Sequence, residues 1–215
     1  NSYIYTDGFL QPIAINDDNL RIFMRHLLFI ALASQLLSAQ NLIKNPSFED
    51  YDSCPSGFGQ VGLLSNWSVP SATTGTPDFF HICGNNLPDN AFGSQTPYSG
   101  RGYTGLIAYA DVNDNRREYI QTRLDMPLVA GAHYEVSFFA SRADYCRYAA
   151  NELGAYFSNT PLIGNGNTAA LNLTPHVSSA AVISDADGWT EVWGLYQAAG
   201  GEEYITFGNF YNDYE

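Results

Sequence analysis

The sequence predicts an all-β fold, a sandwich or jelly roll built from short strands. Three observations carry that reading. Aromatic residues are abundant, with 15 Tyr, 13 Phe and 3 Trp in 215 residues, and such side chains suit pleated, half-buried surfaces. Nineteen glycines and 10 prolines punctuate the chain at short intervals. Between these turn signals lie short extended patterns, with no long run of apolar residues at helical spacing.

Residues 1–39 stand apart from the rest. Met24-Arg25-His26 is followed by the apolar run Leu27-Leu28-Phe29-Ile30-Ala31-Leu32-Ala33 and then by Ser34-Gln35-Leu36-Leu37-Ser38-Ala39. A short basic start, an apolar centre and a small-residue end make 24–39 a signal-peptide helix, cut after Ala39. The run falls short of the roughly 20 apolar residues of a spanning helix, so no membrane span follows cleavage. Residues 1–23 precede Met24 and read as an untranslated or non-native leader, upstream sequence read through in frame and not folded protein. The folded domain is then 40–215.

Within that domain, 42–43 and 48 flank the turn Asn45-Pro46-Ser47 and suggest an opening strand. Residues 102–109 are aromatic and β-rich, and 119–124 alternate in part. Residues 134–139, 154–157, 190–196 and 203–207 read as half-buried strands. The connectors 70–78, 84–101, 111–116 and 158–175 are rich in Asn, Gly, Pro and Asp. Only 143–152 has room for a helical turn or two. No internal repeat is visible.

Charge narrows the function classes. Nine Lys+Arg stand against 22 Asp+Glu, a formal net charge of −13. Removing 1–39, which holds Arg21, Arg25, Asp7, Asp17 and Asp18, leaves 7 basic and 19 acidic residues, so the acidity belongs to the domain. Phosphate backbones need a basic footprint, which argues against nucleic acid as a partner. No His-Glu-x-x-His, Gly-x-Ser-x-Gly or Cys-x-x-Cys occurs, and His81, His133 and His176 are isolated in sequence. Arg117-Glu118 and Glu202-Glu203 place charges inside strand-like segments. An ion pair from Arg117 to a carboxylate, anchoring strand ends, explains them better than a catalytic carboxylate pair. The chain reads as non-catalytic.

Asn41-Leu42-Ile43-Lys44-Asn45-Pro46-Ser47-Phe48-Glu49 resembles the opening strand of carbohydrate-binding-module-like jelly rolls, the galactose-binding-like fold. Further pieces resemble a family of secreted domains from Gram-negative bacteria, often found upstream of an outer-membrane-protein-A-like or sorting domain. They are Cys54-Pro55, Trp67, Gly75-Thr76-Pro77-Asp78-Phe79-Phe80 with Cys83, Asn90-Ala91-Phe92-Gly93, Pro97-Tyr98-Ser99-Gly100, Arg117-Glu118-Tyr119-Ile120-Gln121 and the run from Gly201 to Phe210. The likeness spans about 41–211. It implies a jelly-roll β-sandwich, part of a longer chain, carried across the inner membrane to the cell surface, the outer membrane or the extracellular space. The family closes on a tyrosine-rich strand that this chain lacks after Tyr211, so the sandwich is expected without its last strand.

The resemblance also implies sites. Cys54 and Cys83 are both matched, and in an oxidising compartment they are expected to form a disulfide. Cys146 is left over and reads as a small buried hydrophobe or else as a partner in an alternative bridge. Glu49 matches a carboxylate that can help hold a structural Ca²⁺. Asp111-Val112-Asn113-Asp114-Asn115 has alternating oxygens, but Arg116 and Thr122 occupy positions where a calcium loop needs Gly and Glu, so it reads as a solvated turn. Sugar rings stack on aromatic faces, and their hydroxyls need planar polar partners. The ligand-binding candidates are Trp67, Tyr98 and Tyr103, with Asn86, Gln95 and Arg101. The expected role is glycan binding. The alternatives are a structural or adhesive spacer of a cell-envelope protein and a hydrolase with a site assembled from loops.

Overall fold

A computed structural model describes residues 2–5, 40–70, 72, 75–84, 86–110 and 115–213, with 2–5 described by their backbone. The fold is all-β, two five-stranded sheets packed as a sandwich, with no α-helix among the described residues. The strands are β1 (Ser2–Tyr5), β2 (Trp67–Ser68), β3 (Asp78–His81), β4 (Asp89–Asn90), β5 (Gly93–Ser94), β6 (Gly102–Leu106), β7 (Ile120–Arg123), β8 (His133–Arg142), β9 (Leu153–Ser158), β10 (Val177–Ser178), β11 (Thr190–Gln197) and β12 (Tyr204–Asn209). The first sheet runs β11-β8-β1-β6-β3 and the second β10-β9-β12-β7-β2, while β4 and β5 form a small hairpin. No helix among the described residues is long and apolar enough to cross a membrane.

Alternation explains which faces meet. In β8, Tyr134, Val136, Phe138 and Ala140 are buried while Glu135 and Phe139 are half-buried, and in β11 Val192 and Tyr196 point inward while Trp193 and Leu195 face solvent. An aromatic seam joins the layers. Phe48 lies 5.1 Å from Trp67, Trp67 6.0 Å from Phe207, and Phe207 5.3 Å from Phe138, ring centre to ring centre. Each such side chain contributes about 1.5–3 kcal/mol by leaving water.

Three segments depart from the sequence reading, each for a local reason. The opening strand is a single bridge, Ile43 to Leu124, because Asn45 and Phe48 take positive φ of 50° and 60° and turn the chain. The Asn45 side chain fixes that turn, donating to the carbonyls of Asp50 and Ser65 and accepting from Asp50 N at 2.9 Å. Residues 143–152 form turns rather than a helix, the short helical turns being 3₁₀ at Val61–Leu63 and Ile82–Gly84. β3 starts at the last residue of the expected 70–78 connector and runs through 79–81, where no strand was expected, with all four of its residues buried.

Ser2–Tyr5, assigned by sequence to a leader outside the fold, pairs antiparallel with β6 on one side and β8 on the other. Residues 6–39, which include the expected signal peptide, lie outside the described residues.

The 84–101 connector is not a solvated loop. It folds back over the outer face of the first sheet. There Phe92 meets Phe80 edge-on at 6.2 Å and Tyr98 stacks on Phe139 at 3.6 Å, while Trp189 donates to Thr96 O at 2.9 Å. At the far end, Arg117 and Asp213 form an ion pair of 2.7 Å, each side chain only 1% exposed. That is the strand-anchoring role expected for Arg117. Glu118 closes the same end, accepting Thr76 N at 2.7 Å and Ile107 N at 3.0 Å.

Candidate functional site

The candidate site is a cleft of about 390 Å³ between the 55–58 loop and the 84–91 segment. Its two walls are tied together by the disulfide Cys54–Cys83, the pair expected from the resemblance. They also touch at Gly84, where an added Cβ would lie 2.2 Å from Pro55 O, so only glycine fits. The first wall is stiffened from behind. Gln60 Oε1 accepts Ser56 N at 2.7 Å and Gly57 N at 2.9 Å, and Asp78 Oδ1 accepts Gly59 N at 2.6 Å.

These bonds hold Phe58 on the rim, 62% exposed, with its edge against Phe92 at 5.4 Å. Buried Phe80 supplies the floor. The opposite wall is polar. Asp89 is exposed, and Asn86 Oδ1 accepts His81 N at 3.1 Å, leaving its amide nitrogen as a donor. Asn90 is oriented by two bonds, Nδ2 to Tyr103 Oη at 3.0 Å and Phe92 N to Oδ1 at 2.9 Å. An aromatic edge faces amide and carboxylate groups across a space of small-ligand size.

The electrostatics behind the cleft follow from burial. Desolvation pushes the Asp78 carboxyl up to about 6; the Gly59 N–H opposes this and nearby Glu118 adds to it. Burial pulls His81 below the usual histidine range, against the upward pull of Glu49. His81 Nδ1 accepts Cys83 N at 3.1 Å, and Nε2 lies 3.7 Å from Glu49 Oε2. The histidine therefore braces the disulfide turn.

Of the six predicted ligand contacts, the cleft gathers only Asn86. Trp67 is a core residue, 4% exposed, with its indole N–H on Asn45 O at 2.9 Å. Tyr103 is fully buried against Phe80 and Trp189. Gln95 is buried and donates to Ser141 Oγ at 2.6 Å. These three offer no surface to a ligand. Tyr98 is 45% exposed, with one face stacked on Phe139, and Arg101 is exposed beside it in the chain. Glu49, the calcium candidate, accepts Arg101 N at 2.6 Å and so clips the 98–101 turn. No group of three or more His, Cys, Asp or Glu able to hold a metal is found among the described residues.

Phe58 was missed by sequence reasoning. Its signal was present: a large hydrophobe between Gly57 and Gly59 has no strand to bury it. Trp193 is 64% exposed on the outer face of edge strand β11 beside exposed Leu195. A second hollow of about 280 Å³ has Arg116 and Arg147 with Tyr109 and Tyr148, whose rings meet edge-on at 5.3 Å. Cys146 lines it as a half-buried thiol.

Compared with protein families, with curated proteins and with solved structures, the chain has no match.

Proposed function

We propose that this domain is a non-catalytic binding module that takes a neutral carbohydrate in the cleft beside Cys54–Cys83. The observation that carries the reading is Phe58, a 62% exposed ring that lines one cleft with Asn86, Asp89 and Asn90. A sugar presents an apolar face to such a ring and hydroxyls to such amides and carboxylates. The net charge of −13 opposes capture of polyanionic glycans. The disulfide suits an oxidising, extracytoplasmic setting, in keeping with a secreted or cell-surface module.

Affinity electrophoresis through gels holding neutral polysaccharides tests this. The wild-type chain is expected to be retarded by at least one of them, and Phe58→Ala to migrate freely while keeping its thermal midpoint. Absence of retardation on every neutral polysaccharide tried removes the proposal. The exposed pair Trp193 and Leu195 favours a second reading, an adhesive module docking on another envelope protein. In that case Trp193→Ser abolishes capture of the partner and Phe58→Ala leaves it intact.

A further inference from the structure

The first sheet is completed by a strand that shares no nearby backbone with its neighbours. Ser2, Tyr3 and Ile4 pair with Leu106, Gly105 and Thr104 of β6. Ser2, Tyr3, Ile4 and Tyr5 pair with Arg142, Ser141, Ala140 and Phe139 of β8. Both ladders are antiparallel, so β6 and β8 run the same way on either side of β1. With β1 removed they stand two strand spacings apart, roughly 9–10 Å, too far to bond one another. With Ser2–Tyr5 in place the lining is desolvated: Thr104, Ala140 and Ser141 are 0% exposed. Backbone N–H and C=O groups left unpaired in such a place cost about 1–3 kcal/mol each. The gap therefore demands an extended occupant. Its partner in recognition is backbone, so the requirement is a β-forming segment with free amides rather than one particular side-chain sequence.

We propose that the space between β6 and β8 is a strand-acceptor site, filled in cis by Ser2–Tyr5 and open to the Ser2–Tyr5 segment of a second copy of this chain. Residues 6–39 separate the strand from Gln40, so the exchange requires a chain uncut after Ala39. Exchange of one such strand between copies reproduces every ladder bond without loss, which is the condition for strand swapping.

The test uses the full chain. Tyr3→Pro combined with Ile4→Pro removes one ladder donor toward each neighbour and disables the chain's own strand. A fluorescent synthetic peptide of residues 1–8 is then added, with the same peptide carrying both prolines as control. The wild-type peptide is expected to bind the double variant one to one, and to restore amide protection in β6 and β8 by hydrogen exchange, while the proline peptide does neither. Wild-type chain at high concentration is expected to form a strand-exchanged dimer, which the double variant does not form. Full protection of β6 and β8 in the double variant without peptide overturns the acceptor site. Peptide binding with no wild-type dimer at any concentration overturns the second copy as occupant. If the double variant does not fold, the labelled peptide is incubated with wild-type chain in mild urea. Incorporation seen by native mass spectrometry supports the proposal, and none overturns it.

Discussion

Replacing Arg117 with Ala is expected to cost about 3–5 kcal/mol, the range for removing one partner of a buried ion pair. The structure says why the upper range applies. The guanidinium donates from Nη2 to Asp213 Oδ1 at 2.7 Å and from Nη1 to Arg116 O at 3.0 Å, and it sits 5.6 Å from the Tyr109 ring centre. Its loss leaves the Asp213 carboxylate, 1% exposed, with only Asn115 N on Oδ2 at 2.8 Å among the described residues. Asp213→Leu leaves the converse fault, a buried guanidinium without its anion. Arg117→Met with Asp213→Leu removes both charges and is expected to cost less than the two single changes added together. Urea unfolding followed by tryptophan fluorescence measures this, and the thermal midpoint of either single variant should fall by roughly 6–20 °C. A single variant within about 0.5 kcal/mol of wild type, or strictly additive costs, refutes the argument that this pair is dry and mutually dependent.

Reducing Cys54–Cys83, separated by 29 residues, is expected to lower stability by about 3–4 kcal/mol and to abolish ligand retardation, since it unties the cleft walls; non-reducing and reducing melts with matched binding gels check it. Gly84→Ala should do similar damage with the disulfide intact, about 1–3 kcal/mol, because its Cβ has nowhere to go but into Pro55 O. Asp78 binds its proton more tightly folded than unfolded, so its ionisation costs stability as pH rises from 3.8 through about 6. Asp78→Asn keeps the acceptor for Gly59 N and should remove that part of the slope in urea midpoints measured across this window. Tyr119 and Tyr196 are pushed up to about 12, Tyr119 chiefly by burial and Tyr196 by burial and Glu202. Tyr119→Phe should therefore leave phenolate absorbance below pH 11 unchanged and lower the step above it.

The long strands were legible because their two faces differ. β8 and β11 each bury one face and expose the other in part, and alternation marks that. β3 was hidden because both its faces are covered, and it buries Asp78 and His81 among its four residues, a composition that reads as connector. The opening strand failed on backbone conformation: the turn at Asn45 was legible, but nothing announces that Phe48 after it also goes left-handed and ends the strand. The buried candidates failed for a tertiary reason. Trp67, Tyr103 and Gln95 are covered by residues distant in sequence: Phe207 of the same sheet meets Trp67, Trp189 meets Tyr103, and Ser141 Oγ accepts from Gln95. The disulfide was legible from the resemblance, and the cleft it ties was not, because its rim residue Phe58 has meaning only once the two walls meet.

The position of β12 has a kinetic consequence. It is the middle strand of the second sheet, between β9 and β7, pairing Ile205 with Thr122 on one side and with Phe157 on the other. Two strands made much earlier in synthesis must wait for it across separations of tens of residues. Topologies of such high contact order reach the native state in milliseconds to seconds, not microseconds. The rate-limiting step should then be the docking of 204–209. Substitutions at Phe207 would slow folding, while those in the β8–β11 ladder would show mainly as faster unfolding.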